Sequence, residues 1–313
     1  MALKGVLLDA DSLGEDIDFS GLQAELDQLI IYDQTSPDQV TERIATADIV
    51  FSNKVPITRE TLTATSDLKL ICVLATGMNN IDLNAAAEQN IIVSNAIAYG
   101  TNSVAQHTLM LMLMLATQQA RYSKSVHNGA WNNSPFFCLM DHPVIELAGK
   151  HLVITGSGVL GSKVAQLAEA FDMKVSFSAR PGSEEQDSRP SLDALLPDAD
   201  FLSLHCPLTP QTLNLLDKER LKKARPGLMV INCARGGIVN ETDILQALRA
   251  GSISGYATDV LTEEPPRNGN ILLDALQDDL NLIVTPHNAW ITQAARQNIV
   301  NQAKQAVIRL KNA

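Results

Sequence analysis

The chain has 313 residues, 45% of them hydrophobic and 4% aromatic, with 35 Asp and Glu against 24 Lys and Arg for a formal charge of −11. This length predicts roughly two domains with sizeable cores. The acidic balance excludes a nucleic-acid surface, which needs clustered Lys and Arg, and it requires an anionic ligand to find a local positive site.

The opening "MALKGVLLDADS" lacks the long apolar stretch of a secretory signal. Five β-rich runs follow in chain order: "VLLDA" (6–10), "LIIYD" (29–33), "DIVFSN" (48–53), "LKLICVL" (68–74) and "IIVSN" (91–95), with helical stretches between them. This alternation is the βαβ rhythm of a parallel sheet covered on both faces. After Asn95, a cap at Thr101, Asn102 or Ser103 starts a helix running to about Gln119. Its apolar content is nearly continuous, which predicts burial, with a place between domains as one option. Its longest apolar run, Leu109 to Ala116, is far short of the roughly 20 residues that span a bilayer, so no membrane association is expected. The following "GAWNNSPFFCLMDHPVIEL" concentrates Trp131, Phe136, Phe137, Leu139 and Met140. It reads either as a loop packed on its own domain or as a contact between subunits.

A second series begins near Lys150: "HLVIT" (151–155), "MKVSFS" (173–178), "DFLSLHC" (200–206), "GLMVINC" (227–233), "GYATDV" (255–260) and "NLIVT" (281–285), then one long helix from Gln293 to about Lys311. The second sheet is therefore an insertion, and the last helix returns to the first domain. The expected boundaries are 1–99 with 291–313 for one domain and 100–290 for the other, with a hinge and dimerisation region at about 100–149. Cys72, Cys138, Cys206 and Cys233 are scattered, with no CxxC pair and no His at ligand spacing. They read as reduced thiols of a cytoplasmic protein, and no metal is expected.

Between "HLVIT" and a helical stretch stands the turn Gly156, Ser157, Gly158, Val159, Leu160, Gly161, with the spacing GxGxxG. Alone the pattern is also that of an ordinary strand-to-helix turn. In this context Gly156 permits a tight turn, Gly158 lets backbone approach a pyrophosphate, and Gly161 lets helix and strand pack closely. The helix N-terminus offers N–H groups to the phosphates. Three polar residues follow later strands: Arg235 in "NCARGG", Glu264 in "TDVLTEEP" and His287 in "TPHNAW". Reduction of a 2-keto acid needs a hydride donor, a proton donor and a carboxylate clamp. Arginine supplies a bidentate fork, histidine titrates near neutrality, and a carboxylate beside the ring orients it. Asp259, at a strand end, is either a contact for the nicotinamide end of a cofactor or a cap of its own strand.

Taken together, these segments resemble the D-isomer-specific 2-hydroxyacid dehydrogenase family over nearly the whole chain. The resemblance is carried by "ATGMNNIDL", "YGTNSVAQHT", "GSGVLGSKVAQLAEAFDMKV", "LSLHCPLTPQT", "INCARGGIVNE", "TDVLTEEPP" and "IVTPHNAW". Within the family the chain is most similar to the glycerate dehydrogenase/hydroxypyruvate reductase branch. The resemblance implies an α/β fold of two doubly wound parallel-sheet domains, a Rossmann-type nucleotide domain inserted into a flavodoxin-like substrate domain. It implies that Arg235 binds the substrate carboxylate and keto oxygen, that His287 is the general acid/base, and that Glu264 pairs with His287. Thr76, Gly77 and Trp290 join Arg235 and His287 as substrate contacts. His205, Cys206, Pro207, Thr212, Asn232, Cys233, Ala234 and Asp259 line the cofactor cleft. The implied activity is hydride transfer between NADPH or NADH and a small 2-keto acid, hydroxypyruvate or glyoxylate, in a homodimer. Asn288 stands where an aliphatic residue is common, and Asp172 where a glycine is frequent.

The position that reads the adenosine ribose falls at Ser178, Ala179 and Arg180 in "FSARPG". The acidic residue expected there, which would repel a 2′-phosphate, is missing. A guanidinium is available instead, and Ser178 adds a neutral hydrogen bond, so NADPH is expected to be preferred with NADH still possible. The competing class is a nucleotide-sensing, corepressor-like binding protein on the same scaffold. The intact set of Arg235, Glu264 and His287 and the absence of long polar tails argue against it.

Overall fold

The structure, a computed structural model, describes residues 3–313; the first two residues of the expected first segment lie outside it. The chain divides into two compact units, residues 1–100 with 290–313, and residues 101–289.

The first unit is built on five parallel strands, β1 (Lys4–Leu7), β2 (Gln28–Ile31), β3 (Ile49–Ser52), β4 (Leu70–Val73) and β5 (Ile92–Asn95). Their order in the sheet is β2-β1-β3-β4-β5, the flavodoxin-like arrangement. Each strand overlaps one of the apolar runs expected from sequence, with β1 starting and ending earlier than the expected 6–10. Both faces are buried, so successive side chains enter different cores. Ile49, Phe51, Leu70 and Cys72 join one cluster, and Val50, Ile71 and Val73 join the other. The first cluster is completed by Ile299, Val300, Ala303, Ala306 and Val307, spaced along one face of the C-terminal helix Gln293–Lys311. Thr292 caps that helix by accepting the N–H of Ala295 at 3.4 Å.

The second unit holds six parallel strands, β6 (His151–Thr155), β7 (Lys174–Phe177), β8 (Phe201–Leu204), β9 (Met229–Asn232), β10 (Gly255–Thr258) and β11 (Leu282–Val284). Their order is β11-β10-β9-β8-β6-β7. A dinucleotide fold commonly adds one more strand beyond β7. Here the chain returning along that edge makes a single backbone bond to it, from Ala179 N–H to the Pro190 carbonyl at 2.7 Å. Pro190 has no N–H with which to extend a ladder.

Helix α1 (Thr101–Ala116) and helix α2 (Val159–Glu169) cover one face of this sheet. Ala105, Leu111, Met112, Leu115 and Ala116 of α1 share a core with Val164, Ala165 and Ala168 of α2 and with Leu152, Ile154, Phe201 and Ile231 of the strands. The apolar helix expected between Thr101 and Gln119 is therefore core of the second unit, and it stops at Ala116, where the chain turns through Gln118 at φ 55°. Asp172 sits at φ 58° in the turn from α2 into β7. That conformation favours glycine and is tolerated by Asp, which accounts for this departure from the family pattern. No helix among the described residues is long and apolar enough to cross a membrane.

Candidate active site

The register of the second sheet brings its strand ends level. Thr155, Leu204, Asn232, Thr258 and Val284 are successive cross-strand neighbours. Gly156, His205, Cys233, Asp259 and Thr285 therefore leave the sheet side by side at its carboxyl edge, where open α/β sheets bind ligands.

The three glycines of the turn have separate physical reasons. Gly156 has φ 107°, and a Cβ there would stand 2.4 Å from the His205 carbonyl oxygen. A Cβ on Gly161 would stand 1.9 Å from the Gly156 carbonyl oxygen, so strand and helix approach only without it. A Cβ on Gly158 would meet nothing within 4 Å. Gly158 is the N-cap of α2, so the open space lies over the first-turn N–H groups, which have no acceptor inside a helix. Ser157 and Val159 are exposed there and Leu160 is half-buried. His205 Nδ1 and Asn288 Oδ1, both on loops leaving this sheet edge, are buried without a hydrogen-bond partner. An open cradle at a helix N-terminus and two orphaned polar atoms fit a polar dinucleotide. Burial pushes the His205 imidazole down to about 4, so it is neutral, with Nε2 bonded to Ser203 Oγ at 2.8 Å.

Several residues expected to line the cleft spend their side-chain polar atoms on shaping it. Thr212 donates its hydroxyl to the Pro207 carbonyl at 2.7 Å and accepts the Thr209 N–H at 2.7 Å. Asn232 donates to the Arg235 carbonyl at 3.0 Å and accepts the Ala234 N–H at 3.1 Å, clamping the "NCARGG" loop. Cys206, Cys233 and Ala234 are buried, and burial raises the two thiols to about 11 and about 12, which leaves them un-ionised. Ser178 is buried, with its hydroxyl directed at Thr155 Oγ1 at 3.1 Å, and Ala179 is buried beside it. Of the three residues at the end of β7, only Arg180 is exposed.

His287, Glu264 and Arg235 come together beyond β9, β10 and β11. His287 Nδ1 lies 2.5 Å from Glu264 Oε2. The other oxygen of Glu264 accepts the Leu261 N–H at 2.7 Å. Burial acts to raise the Glu264 carboxyl, but the hydrogen bonds from His287 and Leu261, with the charges of His287 and Arg235, outweigh it and hold the group below its ordinary value. Arg235 is exposed, with Nη1 donating to the Ala234 carbonyl at 2.7 Å. Two residues not singled out from sequence bring these loops together. A Cβ on Gly236 would stand 1.9 Å from the Leu261 carbonyl oxygen, so glycine alone lets the Arg235 loop abut the Glu264 loop. Glu241 accepts the Thr262 N–H at 2.8 Å and the Asn270 amide at 2.8 Å, fixing the chain on both sides of Glu264.

Asp259 is 2% exposed and anchors the His287 loop. It accepts the Thr285 hydroxyl at 2.6 Å, the Asn288 N–H at 3.0 Å and the Ala289 N–H at 3.0 Å. His287 has φ 51°, a conformation sparsely populated by residues other than glycine, and the Asp259 bonds on either side of it, with its own bonds to Glu264 and the Thr285 carbonyl, hold it there. His107 of α1 adds a bond to Thr285 Oγ1 at 3.0 Å; burial lowers its imidazole, against the opposing charge of Asp259.

In the first unit, Thr76 and Gly77 follow β4, where Thr76 Oγ1 donates to the Ala96 carbonyl at 2.9 Å. Trp290 stands edge-on to Tyr99, with ring centroids 6.2 Å apart. Among the described residues no group of three or more His, Cys, Asp and Glu is placed to hold a metal.

Comparison with known proteins agrees with this picture. Residues 109–289 match the family model described as D-isomer specific 2-hydroxyacid dehydrogenase, NAD binding domain. The chain is 42% identical over 304 residues to a glycerate dehydrogenase of Methylorubrum extorquens, covering 96% of this chain and 94% of that one. It is 37% identical over 309 residues to a hydroxypyruvate reductase of Blautia hydrogenotrophica, with the same coverage of each chain. Among solved structures, a protein of Thermus thermophilus superposes with a TM-score of 0.81 at 28% identity, over 98% of this chain and 97% of that one.

Proposed function

The chain belongs to the D-isomer specific 2-hydroxyacid dehydrogenases and carries their NAD-binding domain, and from that premise we propose that it reduces hydroxypyruvate or glyoxylate to D-glycerate or glycolate. The observation that carries the reading is the His287–Glu264 pair at 2.5 Å beside the Arg235 loop, on the carboxyl edge of the nucleotide domain's sheet. The turn from Gly156 to Gly161 would hold the nicotinamide cofactor, which would supply the hydride for the keto carbon when bound. His287 donates a proton to the keto oxygen. Its Nδ1 bonds Glu264, and the ring's other nitrogen, Nε2, is the atom to which we assign proton exchange with substrate. Glu264 fixes the ring's orientation and tautomer. Arg235 holds the substrate carboxylate with its fork. Thr76, Gly77 and Trp290 are further substrate contacts.

For the cofactor we propose NADPH in preference to NADH. The support is the exposed Arg180 at the end of β7, where no carboxylate side chain occupies positions 178–180. We also propose a cytoplasmic homodimer. Its contact is the aromatic segment in which Phe136, Phe137 and Met140 are 66%, 91% and 77% exposed, an apolar concentration that a free surface seldom carries. The test is a panel of 2-keto acids assayed with both cofactors. Turnover of hydroxypyruvate or glyoxylate, faster per unit concentration of NADPH than of NADH, is expected. Absence of turnover on every member would overturn the reading.

A further inference from the structure

The sequence around the end of β7 lacks an acid, but the fold supplies one from further along the chain. Asp187 folds back so that its Oδ2 accepts the Arg180 N–H at 2.8 Å. Its Oδ1 accepts the Arg189 N–H at 3.1 Å. The Arg189 guanidinium then lies on the same carboxylate, with Nε 2.9 Å from Oδ1 and Nη2 2.5 Å from Oδ2. The side chains are 14% exposed for Asp187 and 32% for Arg189, so the pair is partly sheltered and its guanidinium still reaches solvent. The Arg189 bonds first, then the two backbone N–H groups, hold the Asp187 carboxyl well below the ordinary carboxylate range. It is therefore a permanent negative charge bonded to the residue that follows Ser178 and Ala179.

A carboxylate at the end of the second strand of such a sheet accepts hydrogen bonds from the ribose hydroxyls and repels a 2′-phosphate. Asp187 is in place to do both, yet both of its oxygens are bridged by Arg189. We propose that Asp187 and Arg189 form a counter-ion pair that sets the choice between NADPH and NADH. With Arg189 in place the Asp187 carboxylate is neutralised, and the exposed Arg180 guanidinium is the group that admits a 2′-phosphate. Without Arg189 the same carboxylate is exposed as an acceptor for ribose hydroxyls and a barrier to phosphate. Arg189 and Asp187 are thus specificity-determining residues. The inference rests on the reading that the adenosine ribose lies at the end of β7, and it holds whichever cofactor the wild type prefers.

The experiment is calorimetric titration of NADP+ and NAD+ into the full chain and its variants, with no turnover involved. Arg189→Ala leaves the two backbone bonds to Asp187 in place, so the loop keeps its anchor, and a thermal midpoint within a few degrees of wild type checks that it does. NADP+ should bind about tenfold or more weakly in Arg189→Ala, while NAD+ stays within about threefold or tightens. Asp187→Asn, which keeps the shape and removes the charge, should shift the ratio of the two Kd values the other way, by about threefold or more toward NADP+. Should Asp187→Asn fail to fold, Arg189→Lys, which keeps the charge but not the fork, should fall between wild type and Arg189→Ala. A wild-type ratio favouring NAD+ would defeat the NADPH preference and leave these shifts readable. Kd ratios in Arg189→Ala equal to wild type would overturn the counter-ion pair.

Discussion

Asp259→Asn separates the two roles that a carboxylate at this strand end can have. In the structure Asp259 accepts one hydroxyl and two backbone N–H groups from Thr285, Asn288 and Ala289. Asparagine has one acceptor oxygen, so its amide group must face at least one of those donors at a site that is 2% exposed. A hydrogen bond to a charged acceptor contributes about 1.5–3 kcal/mol, and an unsatisfied buried donor costs about 1–3 kcal/mol. Since part of this is relieved by movement of the loop, the expected loss of stability is about 2–4 kcal/mol, or about 4–15 °C in Tm for a chain of this size. The movement also has a functional consequence, because His287 lies between the anchored residues. A displacement of about 1 Å in a catalytic group costs about a hundredfold in rate. Thermal unfolding, steady-state kinetics with hydroxypyruvate and calorimetric cofactor binding should therefore show a lower Tm, a kcat reduced about 10- to 100-fold, and a cofactor Kd changed by less than about threefold. Unchanged Tm and kcat with much weaker cofactor binding would refute the anchoring role and make Asp259 a cofactor contact.

The other expectations are independent of that one. Gly158→Ala places a methyl in open space at an allowed φ of −72°, so Tm should be unchanged while dinucleotide affinity falls about tenfold; Gly161→Ala, at 1.9 Å from the Gly156 carbonyl, should lose about 1–3 kcal/mol of stability as well. Calorimetry and thermal melts on the two variants read both quantities. The Glu264 carboxyl is held below its ordinary 4.5, so it binds protons less readily folded than unfolded; its contribution to stability is present above about pH 4.5 and lost as pH falls through the lowered value. Glu264→Gln should remove that acid-side loss from the pH dependence of Tm and lower kcat about 10- to 100-fold. Phe137→Asp, at a residue 91% exposed, should leave Tm of the protomer near wild type and convert the sedimentation profile from dimer to monomer at micromolar concentration.

The sheets were legible because parallel strands buried on both faces read as short apolar runs, mostly of Val, Ile and Leu, and each of the eleven strands among the described residues overlaps an expected run, although β10 (GYAT) holds none of those three residues. The level strand ends then follow from the register, which is why Arg235, Glu264 and His287 could be picked out together. What sequence could not display is contact between distant loops. Gly236 looks like a spare glycine until Leu261 is seen against it, and Glu241 looks like a helix-capping acid until it is seen holding Thr262 and Asn270. Thr212, Asn232 and Ser178 were readable as polar residues near a cofactor, but their short side chains reach neighbouring protein groups first, as such side chains do in turns. Asp187 is hidden for the opposite reason: it lies seven residues beyond Arg180, outside the strand-end triplet, and reaches it only because the chain folds back over Pro181 to Gln186.

The proposal that this chain reduces 2-keto acids with His287 as the proton donor is tested most directly by comparing His287→Ala with wild type on hydroxypyruvate, with cofactor Kd measured on the same samples. The account predicts a kcat lower by about 10²–10⁴-fold and a cofactor Kd within about threefold of wild type, because the dinucleotide cradle at Gly156 to Gly161 does not involve the imidazole. A His287→Ala variant that turns over hydroxypyruvate at the wild-type rate would contradict it.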